Sequence, residues 1–223
     1  MNTNQTRLLL TAGLLVVLRV DADETINWGS PVWSDLVNSS GVALDASFTF
    51  QLGTFATGFT PTSSNFNLWA ANWKVFDQAV FNPSLGYYSG SANILTAGGS
   101  SSTSASTYDF RGQTAYVWGF NTQTYGGSGM EWFWGGASTW QFPATVNPGT
   151  PSTTPMEWSL SDMTSGDIPL YGAQGGAVGN GYAPASGTHD LQTYSIPSAI
   201  PETPVGGVGI VLAVGTLLRR RRP

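Results

Sequence analysis

Ser47-Phe48-Thr49-Phe50-Gln51-Leu52 alternates small or polar residues with large apolar ones. A period of two places Phe48, Phe50 and Leu52 on one face, the mark of a half-buried strand. Working outward, Thr114 to Phe120 reads Thr-Ala-Tyr-Val-Trp-Gly-Phe and carries bulk on both faces. That predicts a central strand covered on both sides. Glu131-Trp132-Phe133-Trp134 and Thr139-Trp140-Gln141-Phe142 flank Gly135-Gly136, which predicts a hairpin with a flexible loop. Glu157-Trp158-Ser159-Leu160 predicts another short strand. One segment departs from this pattern. Trp69, Trp73, Phe76 and Val80 recur at helical spacing, with Ser63, Ser64 or Asn65 as caps and Pro83 and Gly86 as terminators. Gly98 to Thr107, Pro143 to Pro155 and Gly172 to Gly187 are rich in Gly, Ser, Thr or Pro and read as loops. Short strands between turn signals predict an all-β body. The expected architecture is an antiparallel β-sandwich, jelly-roll-like or Greek key, with one short helical segment.

The chain has 223 residues and no cysteine. That length suits one domain plus processing segments. Without disulfides, cohesion falls on core packing or bound metal. Nine Trp, eight Tyr and eleven Phe supply the apolar surface. From Asp23 to Ile200 there are two cations, Lys74 and Arg111, against eleven carboxylates, a formal charge of −9. This argues against nucleic acid as a partner, because backbone phosphates need clustered Lys and Arg. It also argues against a partly exposed anionic ligand as the main partner.

The two ends of the chain read as sorting segments. Residues 1–22 form a secretory signal: Arg7 opens it, Leu8 to Leu18 is an 11-residue apolar run, and Val20-Asp21-Ala22 offers a cleavage site after Ala22. A signal helix is expected there, and the body is expected over 23–195. Residues 196–204 form a Pro-rich spacer with Pro197, Pro201 and Pro204. Residues 205–223 hold an uncharged 14-residue run, Val205 to Leu218, and then Arg219, Arg220, Arg221 and Arg222. As a helix the run is about 21 Å long, against a hydrocarbon core of about 30 Å. Snorkelling arginines extend its reach, and the basic block marks the cytoplasmic side.

Pro201-Glu202-Thr203-Pro204, the short apolar helix and the arginine block together resemble the tail of PEP-CTERM proteins. Pro201 and Glu202 match the first two motif positions; Thr203 stands at the third, and Pro204 is displaced by one. The resemblance covers about the last 25 residues. It implies an exported protein sorted to the cell envelope or outer surface, held in the membrane at least transiently by its C-terminal helix. It also implies an exosortase-type processing enzyme as partner and release as one fate. It implies no activity for the body.

Four groups bear on chemistry. His189 is the only histidine, too few for a multi-histidine metal site, and it reads as an exposed loop residue. Glu131 and Glu157 each sit in a Met-Glu-Trp triplet. Paired carboxylates beside aromatic rings are the equipment of a glycosidase, whereas two strands with Glu outward and Trp inward give the same pattern. Asp162 and Asp167 flank a short loop, the type of segment that binds Ca²⁺ or simply turns. No cofactor is otherwise implied. Trp132, Trp134 and Trp140 are candidates for an exposed platform that stacks extracellular polysaccharide, or for core. The expectation is a structural or adhesive surface or matrix protein without catalysis. A carbohydrate-binding module is the alternative, and a glycoside hydrolase the third reading.

Overall fold

The computed structural model describes residues 23–147, 154–179 and 188–197. The signal segment, the sorting motif at 201–204, the apolar run and the arginine block lie outside the described residues. Among those described, no helix is long and apolar enough to cross a membrane.

The fold is mostly β-sheet with one short helix. In chain order the elements are β1 Glu24–Gly29, β2 Leu36–Val37, β3 Thr49–Phe55, α1 Phe66–Asn72, β4 Trp73–Val80, β5 Ser89–Ile94, β6 Tyr116–Phe120, β7 Glu131–Gly135 and β8 Met156–Ser159. A 3₁₀ turn at Leu160–Asp162 follows, then β9 Ala173–Gln174, β10 Ala177–Val178, β11 Leu191–Gln192 and β12 Tyr194–Ser195. They form a three-stranded sheet (β5-β1-β8), a four-stranded sheet of two-residue strands (β10-β9-β11-β2) and a five-stranded sheet (β12-β7-β6-β3-β4). The expectation of purely antiparallel pairing is corrected at two places. β8 runs parallel to β1, and β11 runs parallel to β2. Both pairs are joined by long stretches of chain, so no tight hairpin dictates their direction.

The five-stranded sheet is buried on both faces. Phe50, Leu52, Phe76, Val117 and Phe133 join Ile26, Trp28, Ala92, Ile94 and Trp158 of the three-stranded sheet in one apolar cluster. Phe55, Trp73, Trp118, Phe120, Trp132 and Trp134 join Phe66 and Trp69 of α1, together with Tyr171, in a second. Trp28 Nε1 donates 2.8 Å to the buried carboxylate of Asp77, linking β1 to β4. Gly90 leaves room for that bond: a Cβ there would lie 2.4 Å from Trp28 Nε1.

The helical reading of Trp69 to Val80 is corrected. The helix stops at Asn72, and Trp73 is already extended at φ −72°, ψ 134°. Asn65 does occupy the N-cap position, but its carboxamide oxygen accepts from Thr62 N and Trp69 Nε1 rather than from the helix backbone. The misleading spacing comes from a bulge. Leu52 pairs with Asp77 but Gly53 pairs with Val75, leaving Phe76 as an extra residue. An extra residue switches which face the following side chains take. Trp73 and Val75 therefore pack on the second cluster, while Phe76, Ala79 and Phe81 belong to the first. Gly53 is required at the bulge because a Cβ would sit 2.2 Å from the Lys74 carbonyl oxygen.

The hairpin expected across Gly135-Gly136 is also corrected. β7 pairs with β6 and β12, whereas Gln141 bridges Thr114. Trp140 O accepts from Ala115 N at 3.0 Å, and Phe142 N donates to Gln113 O at 2.9 Å. The second arm thus runs beside the approach to β6. The covered central strand predicted at Thr114 to Phe120 does occur, as β6.

Candidate functional site

Burial sorts the tryptophans. Eight of the nine are at most 7% exposed, whereas Trp33 is 74% exposed. The proposed platform of Trp132, Trp134 and Trp140 is therefore corrected. Trp132 and Trp134 lie on the face of the five-stranded sheet that α1 covers, and Trp140 stacks on Trp158 with ring centres 6.0 Å apart in the first cluster. Trp134 lines a hollow of about 470 Å³ but stays almost wholly buried. Alternation along a strand says which rings share a face; it does not say whether water or a second layer covers that face.

Trp33 stands in the loop after β1 and is the one non-glycine residue with positive φ among the described residues, at +64°. That conformation costs a residue with a Cβ about 1–2 kcal/mol, so the surroundings must impose it. They do so from both sides. Trp33 N donates 2.9 Å to Leu85 O, Ser30 N donates 3.0 Å to Tyr88 O, and Ser34 Oγ donates 2.8 Å to Pro31 O. Beyond the loop, Asp35 N donates 2.9 Å to Asp190 Oδ2, and Asp190 N donates 3.1 Å to Asp35 O. His189 Nδ1 lies 2.7 Å from Asp35 Oδ2. His189 is thus a half-buried brace behind the Trp33 loop rather than a free surface residue.

Two hollows meet at Pro31. One, of about 150 Å³, lies between the Trp33 loop and Leu160-Ser161. The other, of about 600 Å³, is open and runs over the outer face of the three-stranded sheet. Ser91, Asn27 and Glu157 stand side by side across β5, β1 and β8. Ser91 Oγ donates 2.7 Å to Asn27 Oδ1, and Asn27 Nδ2 donates 2.7 Å to Glu157 Oε1. In the next row Gly29 lies between Ser89 and Ser159, and a Cβ there would lie 2.3 Å from the Tyr88 carbonyl oxygen. Trp28 and Trp158 point inward, as the period of two requires.

The two glutamates are not brought together. Glu157 belongs to the polar row just described. Glu131, on β7, accepts from Ser39 N (3.0 Å), Ser39 Oγ, Thr193 Oγ1 (2.8 Å) and Ser195 Oγ (3.0 Å). That set ties β7 to β12 and to the turn after β2. The two carboxylates share neither a sheet nor a hydrogen-bond partner.

Asp162 and Asp167 act as turn braces. Asp162 Oδ2 accepts from Ser159 N at 2.8 Å and Trp140 Nε1 at 3.1 Å. Asp167 accepts from Thr164 N and Oγ1 through one oxygen and from Ser138 N through the other. Among the described residues no group of three or more His, Asp or Glu side chains is placed to hold a metal ion. The Thr164 and Ser138 backbone N–H groups bring the Asp167 carboxyl down from 3.8 to about 2. A carboxyl whose pKa is lower folded than unfolded stabilises the fold above its unfolded pKa. That contribution is lost as pH falls through the folded value. The stability advantage of the wild type over Asp167→Ala is therefore expected to be complete above about pH 4 and to shrink towards pH 2. Urea unfolding of both proteins across that range checks it; a constant difference would contradict the assignment.

Searches against family models, curated proteins and solved structures each find no match to this chain. The displayed indole and the polar face were missed in the sequence. The signal present was a tryptophan in Ser30-Pro31-Val32-Trp33-Ser34, a short breaker-bounded run that belongs to no periodic segment.

Proposed function

We propose that this protein is an exported surface or extracellular-matrix component of structural or adhesive type, delivered through its PEP-CTERM-like tail. Its body would be a β-sandwich-like support, the three-stranded sheet laid on the five-stranded one. The single observation that carries a binding role is the contrast between one displayed tryptophan and eight buried ones. An exposed indole held in a costly backbone conformation by a braced loop is a contact point maintained against its own strain. The tail supports display outside the cell. Hydrolysis is disfavoured because Glu131 and Glu157 lie in separate sheets with separate partners. Labelling intact cells with an antibody against the body tests the reading, with surface exposure as the expected result.

A further inference from the structure

We infer that the outer face of the three-stranded sheet and the Trp33 loop form one binding site for an uncharged polysaccharide. The inference deepens the adhesive reading and rests on it. Four features point to this ligand class. The Trp33 ring supplies a broad apolar disc with a polar N–H at its rim, suited to a ligand that is apolar on one face and wet on the other. The row Ser91-Asn27-Glu157 presents hydroxyl, carboxamide and carboxylate groups fixed by their mutual bonds. Such a row offers donors and acceptors to a ligand rich in hydroxyls. The hollow above it is open and about 600 Å³ in volume, so a chain longer than the hollow can lie across it, in contrast to an enclosed small-molecule pocket. Charge selects within the class. The residues lining the two hollows include Glu157 and Asp190 and no Lys or Arg, so a uronate or sulfated polymer would meet like charge.

The loop geometry fits a preformed site. Trp33 is held from Leu85 on one side, and the chain just beyond it from Asp190 on the other. Gly86, at φ +60°, lies 3.5 Å from Trp33 Cα, measured from where its Cβ would be. Little ordering of the loop remains to be done on binding, which favours affinity.

The test is retention of the purified full-length chain, kept in mild detergent, on insoluble cellulose, β-1,3-glucan and starch, with alginate as the anionic comparison. The wild type is expected to bind at least one neutral polymer saturably, with a change in tryptophan fluorescence, and to ignore alginate. Trp33→Ala and Trp33→Gly are expected to bind at least about ten-fold more weakly, with an unchanged circular dichroism spectrum. Trp33→Gly separates ring from strain, because glycine tolerates the positive φ and should keep the fold at least as stable. Asn27→Ala is expected to weaken retention by disconnecting the polar row. Retention of both Trp33 variants at wild-type strength, binding to alginate alone, or no binding to any neutral polymer would overturn the site. So would a Trp33-dependent change in oligomeric state without polysaccharide binding, which would make the face a contact between copies. Cells that still attach to surfaces while the chain binds no polymer would leave the adhesive reading standing and sink this site. Trp33-dependent binding by a chain that stays in the cytoplasm would do the reverse.

Discussion

Replacing Trp69 by alanine is expected to lower the free energy of unfolding by about 4 kcal/mol. The ring is fully buried in the second cluster. It meets Phe66 at 5.1 Å, Phe55 at 5.6 Å, Trp132 at 5.7 Å and Trp118 at 6.0 Å between ring centres. Its Nε1 donates to Asn65 Oδ1 at 2.8 Å and to Thr62 O at 3.2 Å. The loss therefore combines a large cavity with the release of the turn that leads into α1. A seven-residue helix has little stability of its own, so α1 depends on this anchor and on Phe66. Leu68, on the same helix but 47% exposed, is the matched control, and Leu68→Ala should change stability by no more than about 0.5 kcal/mol. Denaturant midpoints with unchanged slopes would measure both. Equal small effects would contradict a sheet covered on this face.

Glu131→Ala is expected to cost about 2–3 kcal/mol, because hydrogen bonds to a charged group are the stronger ones and several donors lose their acceptor together. Ser39, Thr193 and Ser195 all point to this carboxylate. Glu131→Gln keeps one acceptor oxygen and should lose about half as much. A catalytic glutamate would behave in the opposite manner: its amide variant would abolish turnover and leave stability nearly intact. Unfolding measurements on the two variants thus separate a structural clamp from an acid–base group. No loss of stability in Glu131→Ala would remove the clamp.

What could be read from the residues depended on whether one layer or two decided their fate. Phe50 and Leu52 alternate along a single strand, and β3 forms where their spacing places it. Trp118 lies in a segment bulky on both faces, and its strand is covered on both faces. The helical spacing of Trp69 to Val80 overstates the helix, because the residues from Trp73 onward keep that spacing only by crossing a bulge. A bulge depends on the partner strand, here on Gly53, 22 residues earlier than Val75. Pairing of Gln141 with Thr114 and of β8 with β1 is likewise a property of distant chain segments. The site suffered most. Trp132, Trp134 and Trp140 formed the densest aromatic pattern, and density of that type marks a core. Trp33 is isolated; its backbone N–H is held by Leu85 O and the chain two residues on, at Asp35, by Asp190, neither of them near it in sequence.

The most direct test of the account is where the body resides. Intact cells producing the full chain would be stained with an antibody against the folded body, beside lysed cells and the culture medium. The same would be done for a variant with Arg219, Arg220, Arg221 and Arg222 all changed to Ser. The account predicts staining of intact cells, and less cell-held protein or altered orientation in the arginine variant. Staining confined to lysed cells, with the wild type in the cytoplasmic fraction, would contradict it.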